Sequence, residues 1–173
     1  MPYLTSEWGN PSSAYKFGAK LKGVVETARE QVAELIGASG REIVFTSCAT
    51  ESNNAAIHAA LKANPGKRHI VTSAVEHSSG KVEIDVGQMQ ADYLSLTGHK
   101  FHAPKGVGAL YVRRKAPFSP LIHGGHQERN LRGGTECVPL IVGLGKAAEL
   151  ARKQVPGYEK KVRRCALRWR KEF

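Results

Sequence analysis

The sequence predicts an α/β fold in which a largely parallel sheet is flanked by helices. Two observations lead to this class. Short runs rich in β-branched and aromatic residues alternate along the chain with segments whose apolar residues recur at helical spacing. Gly, Pro and Asn separate these segments, as expected for turns. Strands that alternate with helices in this way favour a sheet with parallel pairing.

The first predicted helix follows the turn Asn-Pro-Ser-Ser at residues 10–13. The apolar residues with helical spacing after this turn are Ala14, Phe17, Leu21, Val24, Ala28, Val32 and Leu35. Gly37 stands where a left-handed residue commonly ends a helix. Residues 43–46 form the first predicted strand, and residues 55–61 form a second helix that a Pro-Gly turn closes.

Three further strands are predicted at residues 69–73, 93–97 and 107–112, and a helix at residues 139–150. Ile141, Leu144 and Ala148 share one face of that helix. Ligands of open α/β sheets collect at the carboxyl ends of strands. The turns that follow the strands are therefore the candidate functional segments.

Composition limits the class of protein. The chain has 173 residues, of which 41% are hydrophobic and 24% are charged, which is typical of a globular protein. Its apolar runs are far shorter than the ~20 residues of a membrane span, and we expect no membrane association. Three widely spaced cysteines, Cys48, Cys137 and Cys165, predict a reducing, cytoplasmic compartment.

The net charge of +11 is concentrated at the end of the chain. Residues 151–173 contain nine basic and two acidic residues, with apolar residues at helical spacing. We therefore predict a domain at residues 1–150 and a basic amphipathic helical tail at residues 151–173. The favoured interpretation of the tail is a solvated outer helix face. The alternative is a surface for nucleic acid or an acidic partner, which no nucleic-acid motif supports.

Two segments after predicted strands are candidate binding sites. Small residues in Ser-Cys-Ala-Thr-Glu (47–51) lead directly from a strand into a helix, whose first N–H groups and dipole attract anions. The alternative is that Thr50 is an ordinary N-cap. His77 follows the second predicted strand, where an imidazole can stack on a flat cofactor or transfer a proton. An ordinary turn histidine is the alternative.

Two later segments carry lysine and arginine in turns. Thr-Gly-His-Lys (97–100) presents Lys100, an amine that forms a Schiff base if it is held deprotonated and is otherwise a solvated lysine. Two pairs of histidines, at 99 and 102 and at 123 and 126, allow a zinc interpretation, which we disfavour because no Cys or carboxylate stands at ligand spacing. Residues 123–136 place Arg129 and Arg132 between two Gly pairs, which suits anion capture or a flexible surface loop.

In this order, the four segments resemble the cysteine desulfurases of the nitrogen-fixation type. These are fold-type-I enzymes that use pyridoxal 5'-phosphate (PLP) and are related to class V aminotransferases. The resemblance also includes Trp-Gly-Asn-Pro-Ser-Ser (8–13), Pro-Lys-Gly-Val-Gly-Ala-Leu-Tyr (104–111) and Gly-His-Gln-Glu-Arg (125–129). It implies that residues 1–150 are part of a large PLP-binding domain. It also implies removal of sulfur from L-cysteine, which leaves alanine and an enzyme persulfide for iron–sulfur cluster assembly.

The resemblance implies a role for each matching residue. Lys100 would carry PLP as a Schiff base, and His77 would stack on its ring. Ala49 and Thr50 would hold the phosphate, aided by Thr97 and His99. Thr135 would reach the cofactor of a second subunit, so a homodimer is implied, with an iron–sulfur scaffold protein as a further partner.

The sequence departs from this family in ways that predict impaired activity. A middle segment of the family has no counterpart between Ser79 and Gly80, and that segment carries the aspartate that pairs with the pyridinium nitrogen. The family's N-terminal strand and its C-terminal domain with the nucleophilic cysteine are also without a match. We expect impaired turnover, because the PLP ring needs its carboxylate partner to act as an electron sink. The alternative is a non-catalytic remnant or an interaction subunit that uses the basic tail.

Overall fold

A computed structural model describes residues 2–67, 69 and 84–154. Its helices are α1 (Pro2–Thr5), α2 (Lys16–Leu35), α3 (Ala49–Ala63), α4 (Val86–Met89) and α5, which is helical over residues 138–154. Its strands are β1 (Ile43–Thr46), β2 (Tyr93–Thr97) and β3 (Gly108–Val112). The bounds of β1 and β2 are those predicted, while α3 begins six residues earlier than the predicted helix.

The three strands form one sheet in the order β1-β3-β2. Both pairings are antiparallel, which differs from the largely parallel sheet predicted. The reason is the connection from β2 to β3, which occupies only residues 98–107, whereas a parallel crossover needs about a dozen residues or more and usually a helix. Because β1 and β2 each oppose β3, they run in the same direction on either side of it. The α/β class itself is confirmed.

Helices cover both faces of this sheet. One face packs against the apolar side of α2 and against α5, and the side chains that fill this core include Leu21, Val32, Phe45, Ala109 and Leu144. The other face contributes Val44 and Leu110, which pack against Ala55 of α3. Alternate residues of β1 therefore point to opposite layers, as the two-residue period of a strand requires. Ile141, Leu144 and Ala148 are buried on α5 as predicted.

The end of α2 agrees with the local sequence signal, whereas its start does not. The helix begins after Tyr15 rather than at the Asn-Pro-Ser-Ser turn. It ends at Leu35, and Gly37 has a φ of +69°, the left-handed conformation predicted for it. None of the helices in the described residues is long and apolar enough to cross a membrane.

Several predictions concern residues outside those described. They are the strand at residues 70–73, His77, and the tail from residue 155 onward, including Cys165. Residues 151–154 continue α5, so the predicted boundary after residue 150 falls within that helix.

Candidate functional site

The carboxyl ends of β1 and β2 meet at one edge of the sheet. Thr46, the last residue of β1, and Thr97, the last residue of β2, both pair with Gly108 at the start of β3. Since neighbouring strands lie ~4.8 Å apart, these two ends are separated by roughly 10 Å. The segments that follow them, residues 47–51 and 98–101, therefore leave the sheet side by side.

The turn from β1 into α3 exposes the start of a 15-residue helix at this edge. Cys48 is the N-cap residue, and the first hydrogen bond of the helix runs from the Ser52 N–H to the Cys48 carbonyl at 3.2 Å. The N–H groups of Ala49 and Thr50 precede that bond. Together with the helix dipole, such groups form a favourable environment for an anion.

Gly108 allows the β1–α3 turn to lie against the central strand. A Cβ atom at this position would come within 2.7 Å of the Leu96 carbonyl oxygen and 2.9 Å of the Cys48 carbonyl carbon. Both contacts are with backbone, which cannot rotate away. Only glycine therefore fits between the two strand ends without a backbone shift.

The turn after β2 places the predicted lysine at the same edge. Gly98–Phe101 forms a 3₁₀ turn that contains His99 and Lys100. Thr97 is buried, and its hydroxyl lies 3.2 Å from Nδ1 of His99. Lys100 is half-buried, and His99 is exposed.

The structure thus brings five of the predicted site residues to one sheet edge: Ala49, Thr50, Thr97, His99 and Lys100. Thr135 is exposed and lines a cavity of about 170 Å³ that Thr46 and Ser47 also line, so it lies near the same edge. His77, predicted to stack on the cofactor, lies outside the described residues.

The environment of Cys48 favours its thiolate. The backbone N–H of Glu51 lowers the pKa of the Cys48 thiol, burial opposes this effect, and the Ser47 hydroxyl, 3.7 Å from the sulfur, adds to the lowering. A helix N-terminus is known to stabilise thiolates in this way. The sulfur belongs to the turn that precedes α3.

A buried ion pair holds the Gly-rich loop of residues 123–136 against the core. The Arg29 guanidinium on α2 donates to both carboxylate oxygens of Glu128, at 2.7 and 2.8 Å. The Glu128 carboxylate also accepts the Phe45 N–H at 2.8 Å, and Arg29 donates to the Ile43 carbonyl at 2.9 Å. Burial opposes the charge of Arg29, but the hydrogen bonds and charge of Glu128 outweigh it and raise the pKa of Arg29.

The loop has an unusual backbone where this pair holds it. Glu128, Arg129 and Asn130 are three consecutive residues with left-handed φ angles of +46°, +58° and +66°. Each such residue that is not glycine costs about 1–2 kcal/mol. The buried contacts of Glu128, and a 2.6 Å hydrogen bond from Arg129 to the Ile43 carbonyl, offset that cost.

A second ion pair connects the loop to the first turn of α3. Arg132 donates through Nε and Nη2 to the two oxygens of Glu51, at 2.9 and 3.1 Å. Glu51 also accepts the Ser47 N–H at 2.8 Å and the Ser47 hydroxyl. Burial raises the pKa of Glu51, but the hydrogen bonds from Arg132 and Ser47 outweigh it and lower that pKa overall.

These contacts correct the prediction that Arg129 and Arg132 of the loop are available for anion capture. Arg132 binds a carboxylate of the same chain, and Arg129 binds backbone carbonyls. No sequence pattern predicted the roles of Glu51, Glu128 and Arg29 in these two ion pairs. One signal was present, because Arg29 is a charged residue within the apolar pattern of α2, and such a residue is normally paired when it is buried.

The side chains that commonly ligate metals are spread over the part of the chain that the structure describes. No group of three or more His, Cys, Asp and Glu side chains in residues 2–67, 69 and 84–154 is arranged to hold a metal ion. The two histidine pairs that suggested zinc do not form such a group.

Comparison with known proteins identifies the family. The sequence profile of the family described as Aminotransferase class-V matches residues 1–82 and 78–166. The chain belongs to this class-V aminotransferase family. The two matched parts together include both turns at the sheet edge and the Gly-rich loop.

Individual relatives of this class-V chain are cysteine desulfurases. A protein of that name from Nostoc sp. is 43% identical over 229 residues, and the match covers 87% of this chain and 57% of the relative. Among solved structures, a NifS-like protein superimposes with a TM-score of 0.85 at 29% identity, covering 90% of this chain and 65% of the other. A structure described as SspA in complex with cysteine gives a TM-score of 0.78 at 32% identity, covering 86% and 66%.

The class-V chain spans little more than half the length of the Nostoc relative. That comparison extends over 229 residues although this chain has 173, so it includes positions for which this chain has no residue. The two parts of the family match meet at residues 78–82. The place at which the family's middle segment has no counterpart, between Ser79 and Gly80, lies in this region.

Proposed function

We propose that this chain is part of the large PLP-binding domain of a cysteine desulfurase, the enzyme that takes sulfur from L-cysteine and leaves alanine. The observation that carries the proposal is the shared sheet edge, where the start of α3 and the Lys100 turn lie on either side of Gly108. The cysteine desulfurases among the relatives support the same activity.

The residues at the sheet edge fit PLP. The N–H groups of Ala49 and Thr50 at the start of α3 suit a phosphate group, and Thr97 and His99 add polar groups beside it. Lys100 follows on the adjacent turn, with an amine suited to bind the aldehyde. His77 would stack on the ring, a role that rests on the sequence resemblance. When bound, PLP supplies an electron sink for the amino acid.

The proposed assembly is a homodimer in which Thr135 of one subunit contributes to the phosphate site of the other. The exposure of Thr135 and its position on an anchored loop support this role. Sedimentation velocity at micromolar concentration is expected to show a dimer, and a monomer would contradict this part of the proposal. By resemblance, the sulfur would pass to an iron–sulfur scaffold protein in the cytoplasm, in a system of the nitrogen-fixation type.

This chain is expected to bind PLP but to have little or no turnover of L-cysteine. The middle segment that would carry the aspartate partner of the ring nitrogen is absent between Ser79 and Gly80. Asp85 does not replace it, because its carboxylate is used to cap α4, where it accepts the N–H groups of Gly87 and Gln88. Loss of one preorganised electrostatic partner typically costs about 100-fold or more in rate.

An absorbance titration with PLP tests the proposal. The chain is expected to produce a visible absorption band that saturates, and Lys100→Ala is expected to abolish it. Lys105→Ala is a matched control, because Lys105 lies in the next turn of the same β2–β3 connection. A band unchanged in Lys100→Ala, or no band at all with the folded chain, would contradict the proposed site.

A further inference from the structure

The first turn of α3 contains a carboxylate at the place where the proposed function needs an anion to bind. Glu51 is the third residue of the helix, close to the N–H groups of Ala49 and Thr50. A negative side chain there occupies the positive end of the helix dipole and repels a second anion. An anion site at this turn therefore requires that the charge of Glu51 be balanced.

Arg132 provides that balance from a distant part of the sequence. Its guanidinium meets both oxygens of Glu51 in a two-point contact, and the side chains are 24% and 10% exposed. The Glu51 carboxylate also accepts hydrogen bonds from the N–H and the hydroxyl of Ser47, which precedes the helix. The N–H groups of Ala49 and Thr50 thus remain outside the contacts of Glu51.

The position of Arg132 depends on the rest of the loop. The left-handed run from Glu128 to Asn130, which ends two residues before Arg132, turns the chain, and the buried Arg29–Glu128 pair holds that turn. The Gly133 N–H donates to the Ile122 carbonyl at 2.9 Å and closes the loop behind Arg132. The guanidinium is therefore presented to α3 by a braced loop.

We propose that Arg132 is a positioning residue whose charge neutralises Glu51 and so makes the first turn of α3 competent to bind a dianion. This inference rests on the proposed function for the identity of the dianion, a phosphate ester. It predicts an unusual pattern. Removal of Arg132 weakens anion binding, and additional removal of the Glu51 charge restores it. A purely structural role predicts the opposite, because the double variant would then bind no better than the single one.

The test uses sulfate, a dianion that cannot react with lysine, and follows the amide NMR signals of Ala49 and Thr50 in the full 173-residue chain. Arg132→Gln is expected to weaken sulfate binding roughly tenfold. The Glu51–Arg132 pair is partly exposed, so its charge interaction is expected to be stronger than that of a fully exposed pair and weaker than that of a buried pair. The double variant Glu51→Gln/Arg132→Gln is expected to bind sulfate with an affinity within about threefold of that of the parent chain. Arg132→Lys, which keeps the charge but loses the two-point contact, is expected to be intermediate.

Arg113→Gln is the matched control for net charge. Arg113 follows β3 at the opposite end of the sheet and pairs with Asp92 at 3.4 Å, so its removal is expected to leave sulfate binding unchanged. The inference is overturned if the double variant binds sulfate as weakly as Arg132→Gln does, or if the parent chain does not bind sulfate. If the predicted sulfate pattern is found but PLP gives no absorption band, the inference stands and the proposed function fails. If PLP binds equally well to the parent and to Arg132→Gln, the inference fails and the proposed function stands.

Discussion

Replacement of Glu128 by Gln is expected to be among the most destabilising single changes in the described part of the chain. The Glu128 and Arg29 side chains are only 2% and 3% exposed, and the carboxylate accepts three hydrogen bonds, two from Arg29 and one from the Phe45 N–H. Glu128→Gln turns one acceptor into a donor and leaves the buried guanidinium with the half-exposed carboxylate of Glu26, 3.2 Å from Nε, as its remaining counter-charge. Breaking a buried pair from one side typically costs about 3–5 kcal/mol.

That loss is large compared with the ~5–15 kcal/mol by which domains are stable. Urea denaturation of the parent and the variant provides the measurement, with the midpoint expected to fall at an unchanged slope. Asp92→Asn, which removes the exposed partner of Arg113, is the control and is expected to cost no more than about 1 kcal/mol. A loss below about 1 kcal/mol for Glu128→Gln would refute the argument that this pair braces the loop.

Three further outcomes are expected. Gly108→Ala forces a backbone shift, since its Cβ would lie 2.7 Å from the Leu96 carbonyl oxygen, and it should cost about 1–3 kcal/mol in urea denaturation; no loss would contradict the close approach. The pKa of Glu51 is lower in the folded chain than in the unfolded chain, so the Glu51 carboxylate contributes stability that is present above the unfolded pKa and is lost as pH falls through the folded pKa. The difference in stability between the parent and Glu51→Gln should therefore shrink in acid. A difference that does not change with pH would argue against this contribution of Glu51. Sulfide release from L-cysteine with excess PLP and a reductant should not exceed that of free PLP, and faster release abolished in Lys100→Ala would show that this chain supplies the missing partner in another way.

Local structure was predictable where neighbouring residues determine it. The β-branched run of residues 43–46 and the apolar run of residues 93–97 gave the strands their observed bounds, and Gly37 has the left-handed φ expected of a residue that ends a helix. The pairing of the strands was not predictable in the same way. The alternation of strands and helices favoured parallel pairing, but the direct connection between β2 and β3 reversed β3 within the sheet.

The candidate site was predictable only in part, for the same reason. Short patterns were enough to place Lys100 on the turn after a strand and Ala49 at the start of a helix. The pairs that brace the site join residues 99 positions apart for Arg29 and Glu128, and 81 apart for Glu51 and Arg132. No local periodicity links such residues, so the sequence alone does not show that Arg132 pairs with Glu51 or that Arg29 pairs with Glu128.

The central claim is that Lys100, at the sheet edge shared with the start of α3, is the lysine that binds PLP. The most direct test is borohydride reduction of the chain with PLP, followed by mass-spectrometric mapping of the modified peptides. The pyridoxyl group is expected on Lys100, and excess inorganic phosphate, which competes at the start of α3, is expected to reduce the labelling. Equal labelling of Lys105 or of the lysines beyond residue 150, unaffected by phosphate, would contradict the central claim.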